Sequence, residues 1–470
     1  MKIMVAIANY GTKNAKYAAR LIREYQAMPF DVDIFVLSEA PKDYGKEVNV
    51  LVGLPSPDPW SLPFAHKRLF ADHAEDYDLF IYTEDDTLIR EENLRAYLGA
   101  SEALGEGLLP GFVRYELYPD GSKNYTDIHG PYHWLPDSVR QAGEYVYVRL
   151  SNLHSACYML TRSQLRQAIR SGGFLVEPHS GRYDLICSAG TDPYTRCGFT
   201  RVICLSHLAE FELHHLSNAY LDRVGLDEDE YRLQIDALLE VLRNERSAAE
   251  LFAAEKPLDT SAWDKLYYEP CRNDLALRVP SAAYEILSIG CGWGKTEEQL
   301  VAQGKRVTAI PLDAVIGRLA EARGVTVLPP DFAEAFRRLE GNTFDAILLS
   351  DVLQHLPDPV EVLQKLSAYL GPDGVMVGAV PNLNLNRRII GRLRAKSNKW
   401  TQLNGSFRKM GMHRPSALML KAWLKKSGFN MQAVSYSGFS STRSWTGLVS
   451  LLPDSLTAAN IVFTAGRLPD

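Results

Sequence analysis

The stretch that decides the fold of the C-terminal half is ILSIGCGWGKTEEQLVAQGKRVTAI, residues 286–310. It begins with an apolar run, continues through Gly290, Gly292 and Gly294, and then gives a helical pattern followed by a second apolar run. Strand, helix and strand in this order predict a parallel sheet. Glycines between the first strand and the helix let the main chain turn sharply and approach a ligand closely. The stretch therefore predicts a ligand-binding turn in a doubly wound domain.

The same alternation of strands and helices extends in both directions along the chain. Downstream strands are predicted in FDAILLSDV and GVMVGAVPN, and N-terminal ones in KIMVAIANY, VDIFVLSEA and YDLFIYT. The fold class predicted is α/β with two doubly wound domains. We expect the first domain over residues 1–221, a helical connecting segment over 222–273 and the second domain over 274–470. Residues 110–147, rich in Tyr, Pro, Gly and His, are predicted to be loop-dominated.

Length and composition fit a two-domain intracellular protein. The chain has 470 residues, which is long for one hydrophobic core and fits two domains of about 200 residues each. Its formal charge of −6 gives no reason to expect a nucleic-acid partner. The six cysteines include no C-x-x-C pair, which favours reduced thiols. No apolar run reaches the roughly 18 residues of a membrane span, and the N-terminus is typical of a first strand rather than a secretory signal. We expect a soluble, cytoplasmic protein.

A second notable stretch, YTEDDTLI, places Glu84, Asp85 and Asp86 directly after an apolar run. Mg²⁺ and Mn²⁺ prefer carboxylate oxygens, and α/β proteins bind ligands at the ends of parallel strands. The cluster therefore favours a divalent-cation site. The alternative is a solvated acidic turn in which Asp86 or Thr87 caps the following helix.

Two other chemistries are not favoured by the sequence. Cys187, Cys197, Cys204 and His207 fall within 21 residues, but the cysteines lack the close pairs, about two to four apart, from which structural zinc sites start. The G-x-S-x-G turn of a Ser-His-Asp hydrolase is absent from the sequence.

From about Tyr284 onward, the chain resembles the class I S-adenosylmethionine-dependent methyltransferases. The likeness rests on ILSIGCGWG, VTVLPPDF and the series DVLQHLPDP, LGPDG and VPN, and it is greatest to methyltransferases that act beside carbohydrate biosynthesis. It implies a Rossmann-like fold and the cofactor S-adenosylmethionine, with the methionine end by the glycines, the adenine by residues 331–332 and the methyl donor above residues 350–351. The residues assigned to the cofactor on this resemblance are Gly290, Cys291, Gly292, Gly294, Asp313, Asp331, Phe332, Ser350 and Asp351.

The chain departs from this family at two positions. Ser288 stands where the family usually has an acid before the first glycine, and Pro311 stands where an acid usually holds the ribose. Asp313 is the candidate replacement for the ribose contact. His355 is a candidate to touch the acceptor or act as a base, the alternative being a polar residue at the pocket rim. The basic stretch 387–399 is either a solvated face or a binding surface for a phosphate or an anionic glycan. Peripheral contact with an anionic membrane surface is a further alternative.

Residues from Met1 to about Tyr220 resemble GT-A-type glycosyltransferases, with Glu84-Asp85-Asp86 in the place of the D-x-D motif. This resemblance implies a Mn²⁺ or Mg²⁺ ion that neutralises the diphosphate of a nucleotide sugar. It assigns Asp86 to the metal and Glu84 and Asp85 to the nucleotide sugar or metal. His215, in the pair His214-His215, is a candidate metal ligand, and Asp192 a candidate base for the acceptor hydroxyl.

Together these resemblances predict a bifunctional transferase, with metal-dependent glycosyl transfer in the N-terminal half and methyl transfer in the C-terminal half. The expected partners are a nucleotide sugar and a glycan acceptor, in surface glycan or polysaccharide biosynthesis. One alternative is a single methyltransferase with a glycan- or nucleotide-binding N-terminal domain. Another is a glycosyltransferase carrying a non-catalytic S-adenosylmethionine-binding scaffold. The oligomeric state is left open by the sequence.

Overall fold

The computed structural model describes residues 1–384, 388–389, 391–392, 398–439 and 453–468. The chain forms two compact units, Met1–Ile235 and Asp236–Asp470. The division falls inside the helix Glu228–Leu242. The predicted helical segment 222–273 is thus helical mainly in its first half, and later carries the 3-10 turn Ser261–Trp263. None of the helices in these described ranges is long and apolar enough to cross a membrane.

A five-stranded sheet forms the centre of the N-terminal unit. Its order is Cys157–Thr161, Leu79–Glu84, Lys2–Ala8, Asp31–Ser38, Val48–Val52. All neighbours are parallel except the first pair, which is antiparallel. The inner strands are almost wholly buried, as expected for a sheet covered on both faces. The α-helices of this unit are Ala15–Ala27, Ala65–Asp72, Glu91–Ala103, Arg162–Arg170 and Leu185–Thr195.

Two smaller sheets complete the N-terminal unit. One has the order Leu108–Gly111, Thr200–Cys204, Tyr145–Leu150, Trp134–Ala142, and the other Leu226–Asp227, Lys123–Tyr125, Val113–Leu117, Glu212–His215, Thr87–Leu88. The prediction that residues 110–147 are loop-dominated is therefore wrong. Pro and Gly were interpreted as loop signals, but Pro110 and Pro136 lie in the two edge strands of the first of these sheets, where a residue without an amide hydrogen is tolerated.

The C-terminal unit contains one seven-stranded sheet. Its order is Thr326–Val327, Arg306–Pro311, Glu285–Cys291, Phe344–Ser350, Leu370–Pro381, Ala458–Arg467, Phe429–Phe439. The first five strands are mutually parallel, and Ala458–Arg467 is antiparallel to both its neighbours. The α-helices are Asn273–Ala276, Lys295–Ala302, Ala314–Ala322, Phe332–Arg338, Pro359–Ser367, Phe407–Met410, Ala417–Lys426 and Asp454–Thr457. This is the α/β Rossmann-like architecture that the sequence predicts.

Candidate functional site

The first candidate site is the acidic turn, Glu84–Asp86, at the carboxyl end of the strand Leu79–Glu84. Ala8 pairs with Glu84 in the parallel register, so Asn9 and Asp85 leave the sheet side by side. The amides of Asn9 and Asn14 each donate to Asp85 over 2.7 Å. Asn14, which precedes the helix Ala15–Ala27, makes no side-chain cap hydrogen bond. Asp85 is thus held by two amides, although burial still raises its pKa to about 6.

The other two carboxylates of the turn have different surroundings. Burial and the neighbouring Asp86 raise the pKa of Glu84 to about 8. Burial alone would raise the pKa of Asp86, but hydrogen bonds from His215 and Ser217 hold it below its ordinary value. The following helix starts after Arg90, so the alternative in which Asp86 or Thr87 caps it is wrong.

His215 lies directly against Asp86, as its assignment to the same metal requires. Its Nε2 is 3.2 Å from Asp86 Oδ2, and its Nδ1 lies 2.6 Å from Oε1 of the buried Glu116. Burial would lower the pKa of His215, but the two carboxylates raise it to about 9. A carboxylate on Nδ1 is the usual support of a metal-binding histidine. Two ligand atoms about 2.1 Å from one ion at a right angle are about 3 Å apart, so this pair fits a divalent cation.

Asp192 is placed in a different environment. It is fully buried, ion-paired with Lys67, and 3.1 Å from His179 Nε2. His179 in turn lines a cavity of about 730 Å³. A base role for Asp192 stays a prediction, and its carboxylate is already shared by several cationic or donor groups, Arg196 among them.

The second candidate site is built on the glycine turn, Gly290–Gly294, between the strand Glu285–Cys291 and the helix Lys295–Ala302. Gly290 and Gly294 have φ of 72° and 85°, which side-chain-bearing residues rarely adopt. A Cβ on Gly292 would lie 1.9 Å from the carbonyl oxygen of Tyr267, which accepts from Trp293 N over 3.0 Å. Main chain from residue 267 therefore approaches this turn closely.

A carboxylate that the sequence analysis missed lies behind the glycine turn. Ser288 Oγ donates to Glu297 Oε1 over 2.6 Å, and Glu297 is buried, which raises its pKa. Ser288 marks the position where the resembling family carries an acid, and Glu297 returns an acid to that place from the next helix. The signal available in the sequence was the pair Glu297-Glu298 in the first turn of that helix.

The residues after the second and third strands of this unit serve as helix caps. Asp313 Oδ1 accepts from Ile316 N over 2.6 Å, and burial raises the pKa of Asp313 to about 7. Asp331 Oδ1 accepts from Glu334 N over 2.8 Å. Phe332 stacks on Phe336 with ring centres 5.4 Å apart. The assignment of Asp313, Asp331 and Phe332 to the cofactor stays a prediction.

Asp351 follows the strand Phe344–Ser350 in a left-handed conformation, with φ of 49°. Backbone strain in a non-glycine residue is typical of functional sites. Its carboxylate is ion-paired with Arg272, and Ser350 Oγ donates to Glu269 Oε1 over 3.0 Å. Arg272 and Glu269 were not identified from the sequence, because they precede the glycine turn and belong to no motif there.

His355 lies one turn beyond Asp351 and is only 4% exposed. Burial holds its pKa well below the ordinary value, and its Nδ1 has no hydrogen-bond partner among the described residues. The side chain lines a cavity of about 260 Å³, here called the C-terminal cavity. Its other lining residues include Trp263, Lys265, Glu269, Asp351, Gln354, Trp400, Met412 and Asn460. The basic stretch 387–399, predicted as a binding surface, lies largely outside the described residues.

Residues 234–434 match the family model described as a methyltransferase domain. The C-terminal unit is a methyltransferase domain. This match supports the methyltransferase domain that the sequence resemblance predicts. The GT-A assignment of the N-terminal unit stays a prediction.

Relatives of the methyltransferase domain include two proteins named ubiquinone biosynthesis O-methyltransferase. The one from Xylella fastidiosa is 29% identical over 172 residues, covering 35% of this chain and 69% of the relative. The one from Actinobacillus pleuropneumoniae is 33% identical over 111 residues, covering 22% of this chain and 47% of the relative.

Two solved structures are also similar to this part of the chain. An S-adenosylmethionine-dependent methyltransferase from Mesorhizobium loti is 19% identical with a TM-score of 0.31, covering 41% of this chain and 96% of its own. The magnesium protoporphyrin IX methyltransferase of Synechocystis, solved with bound SAH, is 15% identical with a TM-score of 0.29, covering 41% and 78%.

The methyltransferase domain fits its class cofactor best at the methionine end. There the positive φ of Gly290, the absent side chain of Gly292 and the buried Glu297 form a turn with a carboxylate behind it. At the ribose end, Pro311 offers no acid and Asp313 is directed to its own helix. Losing one charged ribose contact costs about 1.5–3 kcal/mol of affinity when nothing replaces it.

Proposed function

We propose that the methyltransferase domain transfers a methyl group from S-adenosylmethionine to a hydroxyl oxygen of a small acceptor. The observation that carries this proposal is the family match over residues 234–434, which includes the glycine turn and most of the residues that line the C-terminal cavity. The O-methyltransferase names of the relatives support oxygen as the methylated atom.

In this proposal the chain's own residues hold the cofactor and prepare the acceptor. Gly290, Cys291 and Gly292 would hold the methionine end, with Ser350 and Asp351 beneath the methyl donor. When bound, S-adenosylmethionine supplies an electrophilic methyl group on a sulfonium. The ion pair between Arg272 and Asp351 fixes the left-handed turn at the strand end.

His355 is the candidate base for the acceptor hydroxyl. Because burial keeps its imidazole unprotonated at neutral pH, one ring nitrogen remains free to accept a proton. Nδ1 is enclosed and lacks a hydrogen-bond partner among the described residues, so the proton of the acceptor would go to Nε2. The acceptor would enter the C-terminal cavity, which His355 lines.

Titration calorimetry of the full chain with S-adenosylhomocysteine tests the cofactor assignment. We expect one binding event per chain and a raised unfolding temperature. Incubation with methyl-labelled S-adenosylmethionine and a panel of hydroxylated acceptors should then transfer label. Binding without transfer of label would favour the non-catalytic scaffold, whereas a chain that gives neither heat nor a thermal shift with either compound would refute both the enzyme and the scaffold.

We propose, as a second function, metal-dependent glycosyl transfer from a nucleotide sugar to a glycan acceptor in the N-terminal unit. The 3.2 Å contact between His215 and Asp86, with Glu116 behind the ring, supports a Mn²⁺ or Mg²⁺ site. Glu84 and Asp85 beside it would serve the diphosphate or ribose of the donor. A methylated surface glycan would be the product of both units together.

Thermal shifts against a panel of nucleotide sugars, with and without Mn²⁺, test this second function. Metal-dependent stabilisation accompanied by release of free nucleoside diphosphate supports transfer. Stabilisation without release favours the alternative in which the N-terminal unit only binds a nucleotide or glycan. A shift that is indifferent to Mn²⁺ contradicts the metal site.

A further inference from the structure

A short segment before the methyltransferase core, Glu250–Lys256, crosses the end of the strand Arg306–Pro311. We call this segment the strap. Leu251 N donates to Leu312 O over 2.8 Å, and Glu250 forms an antiparallel bridge with Asp313. The Leu251 side chain is buried in the same apolar cluster as Ile289. The strap is therefore paired with the main chain just beyond this strand.

Phe252, in the middle of the strap, lies close to both His355 and the glycine turn. Its ring lies 5.8 Å from the His355 ring at an angle of 16°, a stacked arrangement. Its Cε1 is also 3.7 Å from the position that a Cβ on Gly290 would take. Phe252 thus lies between the glycine turn and the candidate base.

The far end of the strap is fixed by polar contacts of its own. Lys256 N donates to Asp264 Oδ1 over 2.8 Å, and Lys265 N donates to Ala254 O over 3.2 Å. Both contacts lie near the segment whose Tyr267 carbonyl meets the glycine turn. The strap is consequently an ordered part of the domain held at both ends.

The strap lies at the carboxyl ends of three neighbouring strands of the sheet. The strands Arg306–Pro311, Glu285–Cys291 and Phe344–Ser350 are neighbours in the sheet, and the strap contacts residues at or just beyond the carboxyl end of each. In open α/β sheets this edge is the ligand crevice. The strap therefore occupies the place where a ligand of this domain would lie.

We propose that the strap is an autoinhibitory gate, which must leave the crevice before S-adenosylmethionine binds. This inference rests on the proposed methyltransferase function. Because a ligand then binds only the fraction of molecules with the strap displaced, the apparent affinity is lowered by that fraction. Removing the Phe252 ring should raise the open fraction and tighten binding.

The test compares S-adenosylhomocysteine binding to the full-length wild type, Phe252→Ala and Tyr284→Ala by titration calorimetry. Tyr284 is a half-exposed aromatic residue just before the same central strand, at its opposite end, and serves as the matched control. We expect Phe252→Ala to bind at least tenfold more tightly than the wild type, and Tyr284→Ala to bind equally. Thermal unfolding of each variant verifies that it is folded.

Hydrogen exchange gives a second, activity-independent readout. The Leu251 amide should be protected in the free protein and exchange faster at saturating S-adenosylhomocysteine, since its bond to Leu312 is broken. Equal or weaker binding by Phe252→Ala, or unchanged protection at Leu251, overturns the gate while leaving the cofactor assignment intact. Absence of binding by every variant overturns the proposed function, and the gate with it.

Discussion

At the scale of single residues, the chemistry of both units depends on which groups hydrogen-bond or ion-pair with each carboxylate. Asp85 is held by two asparagine amides, whereas Asp86 faces an imidazole that Glu116 orients. Only Asp86 is therefore paired with a second potential metal ligand. In the C-terminal unit, two carboxylates also differ in their partners: Asp351 is ion-paired with Arg272, whereas Asp313 caps a helix.

Substitution of Asp86 tests its metal role. Asp86→Ala should abolish the Mn²⁺-dependent thermal shift, because one of the two paired ligand atoms is removed. Glu116→Gln should weaken Mn²⁺ binding about tenfold or more, because the carboxylate that orients the His215 ring is lost. Asp72→Ala, which removes an exposed carboxylate of the same unit, is the control and should leave the shift unchanged.

His355→Gln tests the proposed base. It should lower the methyl-transfer rate about 10²-fold, the usual contribution of general base catalysis, while the affinity for S-adenosylhomocysteine stays within twofold. Rates are measured with labelled cofactor and the affinity by calorimetry. A parallel loss of both quantities would instead indicate that the substitution damages the cofactor crevice.

At the scale of elements, the strands that carry both sites were predictable, and their supporting residues were not. Long apolar runs fixed the strands that end at Glu84 and Cys291, and strand ends are where polar side chains meet. Glu116 and Glu297 were missed because they act from neighbouring elements whose approach is decided by tertiary packing. The loop prediction for residues 110–147 failed because Pro110 and Pro136 lie in edge strands, where proline is tolerated.

The helix Ala314–Ala322 gives a prediction of pH dependence through its cap, Asp313. Its folded pKa of about 7 exceeds the roughly 3.9 of an unfolded aspartate, so the folded state binds more protons between these values. This group therefore stabilises fully below about pH 4, and its contribution is lost as the pH rises through 7.

Asp313→Asn should flatten that slope, because an amide also caps the helix but does not ionise. Between pH 4 and pH 8, we expect the free energy of unfolding of the wild type to fall by about 4 kcal/mol more than that of the variant. Denaturant unfolding at both pH values measures the difference. Identical pH dependence of the two proteins would contradict the prediction.

At the scale of the whole molecule, each unit has its own sheets and apolar clusters. We therefore expect ligand binding in one unit to tolerate site substitutions in the other. Asp86→Ala should keep the wild-type affinity for S-adenosylhomocysteine, and Phe252→Ala should keep the Mn²⁺ shift. Calorimetry and thermal shifts on the same two variants provide the measurement, and a reciprocal change in both would reveal coupling.

The helix residues that close the N-terminal unit affect how its fragments would survive proteolysis. Tyr231 stacks on Tyr125 with ring centres 3.7 Å apart, and Gln234 Oε1 accepts from the Trp134 indole over 2.9 Å. A fragment that ends at residue 221 lacks Tyr231, Gln234 and the strand Leu226–Asp227. Its Tyr125 and Trp134 side chains, buried in the intact chain, would then be exposed to water. Nicking between 221 and 226 would therefore yield an aggregation-prone product, whereas a fragment extending through residue 242 would keep its aromatic seal.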